Sequence, residues 1–197
     1  MHVGVADHLG WAVCVTTSAD HAVVDRRRIE LVGPGLPVAP IHHDGGAWPQ
    51  HTSRRLDDAA LASLVAQVRS SAVRTTAESL DGLAADLAAP ILSISLRAFR
   101  SALPVGIADL RRPPYESRAD AVMYRHVLAE VAEARGWRVH LYDPAQVVGL
   151  ATARLGSGAG RVLDGPRARS GPPWTRDHRT ALAATVVAAQ GSPDGST

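Results

Sequence analysis

Asp7 and His8 end the first apolar run of the chain, in VGVADHLGWAVCV, and Asp177 and His178 stand side by side in TRDHRTALAATVVAAQ near the other terminus. An imidazole next to a carboxylate can carry a proton near neutral pH, so His8 and His178 are the candidate proton carriers. Glu116 and Asp120, in ESRADAVMYRHVLAEVAEARG, lie one helical turn apart and share a face, so together they could offer carboxylate oxygens to a hard divalent cation. His42, His43, Asp44 and His51 crowd one loop and include donors that Zn²⁺ accepts, but adjacent histidines do not readily face one ion and no helix fixes their spacing. Each group also has a plainer reading. Asp7 can accept hydrogen bonds from the turn amides that follow it, and Glu116, Asp120 and Asp177 can complement the positive ends of helices.

The elements that must position these residues follow from the hydrophobic pattern. Val3–Ala6, Trp11–Thr17 and Val23–Val32 read as three closely spaced strands of an antiparallel meander, since a parallel return would need a longer crossover. Residues 33–56 lack either hydrophobic period and read as a long loop insertion, rich in Gly, Pro and His. From Asp57 to about Asp86, Leu61, Leu64, Val65, Val68 and Ala72 recur at helical spacing, with a break expected near Gly82. ILSISL is a buried strand, residues 116–136 a helix ending at Gly136, and WRVHLY a further strand. Asp143-Pro144 starts a short helix. Residues 156–173 read as a loop whose GSGAGR lacks the Lys-Ser/Thr end of a phosphate-binding loop, and a last helix begins near Thr175. The expected organisation is one domain over 1–190 and a frayed tail over 191–197.

Composition bounds the function only coarsely. All 21 cationic residues are arginine, and the formal charge of +2 permits nucleic-acid contact without arguing for it. A single cysteine, Cys14, excludes a disulfide within the chain and suits the cytoplasm. There is neither a signal-peptide pattern nor an apolar run long enough to span a bilayer, so no membrane partner is expected. Trp48 and Trp174, in loops, are candidates for base stacking or for the interface of a homodimer.

Three meandering strands followed by strand–helix units is the order of the ribonuclease H-like fold, a mixed five-stranded sheet with helices on both faces. VGVADHLGWAV resembles the first motif of RuvC-type Holliday-junction resolvases: an apolar strand, an aspartate, a Gly-containing turn and a second strand starting Gly-aromatic. RGWRVHLYDPAQVV resembles the family's later strand and Tyr-x-Pro-x-x-Val segment. DHRTALAATVVAA resembles the helix carrying its last catalytic acids.

The resemblance implies that Asp7 is the first metal ligand and Asp177 the next to last, with Thr180 where the family has its final acid. It also implies that Ser95 or a near neighbour stands where the fourth strand carries a glutamate, and Val148 where the family has a basic residue. The implied activity is phosphodiester cleavage assisted by Mg²⁺, in which two cations about 4 Å apart activate water and stabilise the leaving oxygen. Asp7 and Asp177 would hold the metal, Glu116 and Asp120 could complete a displaced site, and His178 would move the proton. With the acid set incomplete, the same residues also fit a non-catalytic binding or assembly module. An enzyme needs a third carboxylate facing Asp7; a module does not.

Overall fold

The computed structural model describes residues 1–45, 55–98, 102–166, 171 and 173–189. Strands β1 (His2–Asp7), β2 (Trp11–Thr17) and β3 (Val23–Glu30) form the antiparallel meander, and β4 (Ser93–Arg97) and β5 (Arg138–Tyr142) add in parallel on the other side of β1. The order β3-β2-β1-β4-β5 is the mixed five-stranded sheet expected from the sequence, in an α/β fold. β1 is central and buried along its whole length, which explains why it is a continuous apolar run rather than an alternating one. β3 lies at the edge, and its arginines put charge where an uncharged strand would invite pairing with another chain.

Helices α1 (Asp58–Ala85), α2 (Ile107–Leu110), α3 (Glu116–Glu133), α4 (Val147–Leu155), α5 (Ala159–Leu163) and α6 (Arg176–Ala189) complete the fold, with α2 packing on α1. On one face Val3, Val5, Cys14, Ile94 and Leu96 pack with Val68, Leu80 and Leu83 of α1 and Tyr124 and Leu128 of α3. On the other, Ala6, Val13 and Val15 pack with Val147, Leu163, Leu182 and Val186. Among the described residues no helix is long and apolar enough to cross a membrane.

Two expectations change. α1 runs unbroken through Gly82, because Leu80 and Leu83 on either side are fully buried and outweigh the roughly 1 kcal/mol that a glycine costs inside a helix. Residues 156–173 are not simply a loop: Gly156–Gly158 forms a 3₁₀ turn leading into α5, whose buried Ala159 and Leu163 give the segment a core-facing side. The loop over 33–56 contains a π-helical turn, Pro40–Asp44. The Asp57 side chain accepts from the Ala60 amide and so caps α1. His51, Trp48 and the 191–197 tail lie outside the described residues.

The approach of α6 to the sheet sets the geometry of the site. A Cβ at Gly4 would fall 1.9 Å from the Ala181 carbonyl oxygen, so α6 can rest on β1 only because that position has no side chain. Ala181, Ala184 and Ala188 are buried on the same helix, where small side chains suit a close approach to the sheet.

Candidate functional site

From the Gly4–Ala181 contact, Asp7 lies three residues on toward the carboxyl end of β1, about 10 Å along the strand. Asp177 lies one turn back toward the amino end of α6, on the same face as Ala181. Both carboxylates therefore arrive at one rim of the sheet. His8, in the turn that follows β1, joins them: its Nε2 is 2.9 Å from Asp177 Oδ2, and its ring stacks on Trp11 with centroids 4.0 Å apart. The Arg28 guanidinium carbon lies 4.3 Å from the centroid of the Trp11 ring, so the stack ties His8 to the arginine-rich edge of the sheet.

The immediate partners of Asp7 are cations. Arg125, on α3, donates from Nε to Asp7 Oδ2 at 2.7 Å. Arg97, the last residue of β4, has its Nε 3.6 Å from Asp7 Oδ1 and a terminal nitrogen 4.0 Å from Asp177 Oδ1. Asp7 Oδ1 and Arg97 Nε are each buried without a hydrogen bond, and they face one another just beyond hydrogen-bond range. Asp7 is 3% exposed, so this pairing operates where water screens it little. Two carboxylates and two guanidiniums bring the formal charge of the cluster to zero, leaving aside His8.

This donor set does not fit a pair of divalent cations, or one. Mg²⁺ is held by converging anionic oxygens, and here the central carboxylate is already engaged by Arg125 and faced by Arg97. Among the described residues no three Asp, Glu, His or Cys side chains are grouped to hold a metal ion.

Glu116 and Asp120 are not brought to Asp7. Both are buried on α3, where the Asp120 carboxylate accepts from the Ile41 and His42 amides at 3.1 and 2.9 Å and so fastens the π-helical turn to the helix. Burial pushes the Asp120 carboxyl up to about 6, against the opposing pull of those amides. Arg111 anchors the flanks of the same loop, donating to the Gly45 and Leu56 carbonyl oxygens and pairing with Asp58.

His178 reaches neither Asp7 nor His8 by any hydrogen bond. Its Nδ1 accepts from the Thr175 amide at 3.2 Å and lies 2.8 Å from the Thr175 hydroxyl, so the ring reaches back to the residue before α6 and satisfies an amide there, as one half of a capping box does. Burial, and then Arg26, lower its pKa while Asp177 raises it, and an accepting Nδ1 belongs to the neutral ring. Ser95, aligned with Gly4, is buried two residues short of the end of β4, and its hydroxyl donates to the Ala184 carbonyl oxygen at 3.3 Å. The strand end that looks onto Asp7 belongs to Arg97.

Arg97 and Arg125 are the residues that the sequence reading did not single out. Arg97 carried a weak signal, since it closes the strand on which the resolvase resemblance wanted an acid. Arg125 carried none, because nothing in MYRHVL says which way its side chain leaves the helix.

No family model and no curated protein matches the chain.

Proposed function

We propose that this chain is a relative of the resolvase-type nucleases whose metal centre has been replaced by carboxylate–guanidinium pairs, and that it serves as a non-catalytic nucleic-acid-binding module on the ribonuclease H-like fold. One observation carries the reading: Asp7, the residue that the resemblance makes the first metal ligand, is bonded to Arg125 at 2.7 Å and faced by Arg97 at 3.6 Å. A guanidinium supplies positive charge permanently, so the carboxylate is compensated without any ion being bound. The third carboxylate that cleavage would require is replaced by a cation, and that cation also raises the attraction of the rim for a phosphate backbone. A cytoplasmic location belongs to the same reading and rests on the single cysteine.

The test pairs metal uptake with binding and cleavage. Calorimetric titration of the wild type with Mg²⁺ and Mn²⁺ is expected to show no stoichiometric uptake. Fluorescence anisotropy in EDTA is expected to show salt-sensitive binding of branched DNA or RNA–DNA hybrids without cleavage when Mg²⁺ is added. Specific metal uptake together with cleavage that Asp7→Asn abolishes would restore the nuclease reading, and absence of any nucleic-acid binding at low salt would remove the module.

A further inference from the structure

Beside Asp7, on the α3 side, a cleft of about 350 Å³ opens between the end of β4 and the first half of α3. Arg97, Arg118 and Arg125 line it, with Ser117 and the apolar side chains of Leu103 and Val122, and among the described residues that line it there is no carboxylate. We propose that this cleft is a phosphate-binding site, taking the phosphate group of a nucleotide unit; the assignment of that unit to a nucleic acid rests on the reading above, whereas the phosphate chemistry does not.

The donors are arranged for an anion. The bond from Arg125 to Asp7 uses its Nε–H, and the guanidinium carries four further N–H donors on its terminal nitrogens. Asp7 bonds Arg125 and fixes its orientation at one wall of the cleft, and Arg97 sits beside it with its Nε 3.6 Å from the same carboxylate. Arg118 enters from the opening turn of α3, its Nε donating to the Pro114 carbonyl oxygen at 3.3 Å and its guanidinium carbon 6.0 Å from the Tyr115 ring. The Ser117 hydroxyl, which donates to the same carbonyl at 3.3 Å, keeps lone pairs and adds polarity at the rim. Three planar forks around one concavity suit the three or four oxygens of a phosphate better than a carboxylate, which has two. The volume exceeds that of a bare phosphate, and the apolar walls leave room for the organic part of a phosphate ester. The bond to Asp7 preorganises the site: Arg125, already held by a buried carboxylate, loses little rotamer freedom when an anion arrives.

Arg118 is the residue to change, because it lines the cleft without contributing to the Asp7 cluster. The probes are inorganic phosphate, a 5′-mononucleotide and a fluorescein-labelled single-stranded oligonucleotide, each titrated in EDTA against wild type, Arg118→Ala and Arg74→Ala. Arg74 is an exposed arginine of α1 far along the chain from the cleft, and its replacement removes the same net charge. Circular dichroism melting of each variant reports whether the fold survives.

Arg118→Ala is expected to weaken oligonucleotide binding about fivefold to tenfold and to lower the salt slope by about one, with Arg74→Ala close to wild type. Equal losses in the two variants would overturn the site, leaving general charge as the cause, while oligonucleotide binding itself would still support the module. Binding of phosphate and mononucleotide that Arg118→Ala weakens, with no oligonucleotide binding, would support the cleft and overturn the nucleic-acid reading. Failure of all three probes would overturn both. Should Arg118→Ala melt well below wild type, protection of α3 amides by phosphate in the wild type, measured by hydrogen exchange, replaces it as the readout, and unchanged exchange counts against the site.

Discussion

Asp7→Asn separates the two readings by sign. In a cluster of bare acids awaiting metal, neutralising one carboxylate relieves repulsion and stabilises the metal-free fold. Here it removes the anion that faces both Arg97 and Arg125, and leaves two cations at a rim where the residue between them is 3% exposed. Removing one partner of a buried pair costs up to about 3–5 kcal/mol. Arg97 and Arg125 keep side-chain exposures of 25% and 18%, and water reaching their outer nitrogens lowers the expectation to about 2–4 kcal/mol. For a chain of this size each kcal/mol moves the melting temperature by about 2–4 °C, so a fall of about 5–15 °C is expected. Urea unfolding followed by tryptophan fluorescence in EDTA measures it. A double-mutant cycle with Arg125→Gln isolates the pair, with a coupling of about 1–3 kcal/mol expected. An Asp7→Asn protein as stable as the wild type, or more stable, would refute the view that this carboxylate is held by arginine.

Gly4→Ala places a Cβ 1.9 Å from the Ala181 carbonyl oxygen, so α6 must move by more than 1 Å; a loss of about 3 kcal/mol or more in urea unfolding is expected, with weakened His8–Asp177 contact visible in the His8 NMR signals. For Asp120, the folded carboxyl titrates at about 6, above its unfolded value, so the stability it contributes is full below about pH 4 and is lost as pH rises toward 6. The wild-type curve minus that of Asp120→Asn, which cancels the histidines, should therefore fall by about 3 kcal/mol at most across that window and level off above it. His178→Ala should cost about 1 kcal/mol through loss of the α6 cap, while His178→Gln, whose side chain can accept at the same helical position, should retain most of it; both should bind oligonucleotide as the wild type does.

The sheet was legible because its strands differ in kind: β1 is apolar throughout, β3 carries charge at an edge, and the short links between the first three allow only antiparallel return. Helices α1, α3 and α6 announced themselves by periodicity, whereas α5 did not, since a single turn flanked by glycines gives no period to read. The meeting of Asp7 with Asp177 was foreseeable only through the family resemblance. The glycine that permits it, Gly4, sits inside an apolar run where nothing local distinguishes close helix packing from a small residue placed by chance. Asp120 shows the opposite failure. Its spacing from Glu116 suggested a shared cation site, but the carboxylate is directed at two loop amides, a partnership across 79 and 78 residues that no local pattern encodes.

Charge balance at the rim has a consequence for attempts to redesign it. Placing an acid at position 97 alone would set three carboxylates against the single guanidinium of Arg125, and neutralising Arg125 alone would leave Asp7 with only the longer contact to Arg97. Each single replacement therefore unbalances the charge of the rim, so building a metal-binding centre there calls for changes on β4 and α3 together.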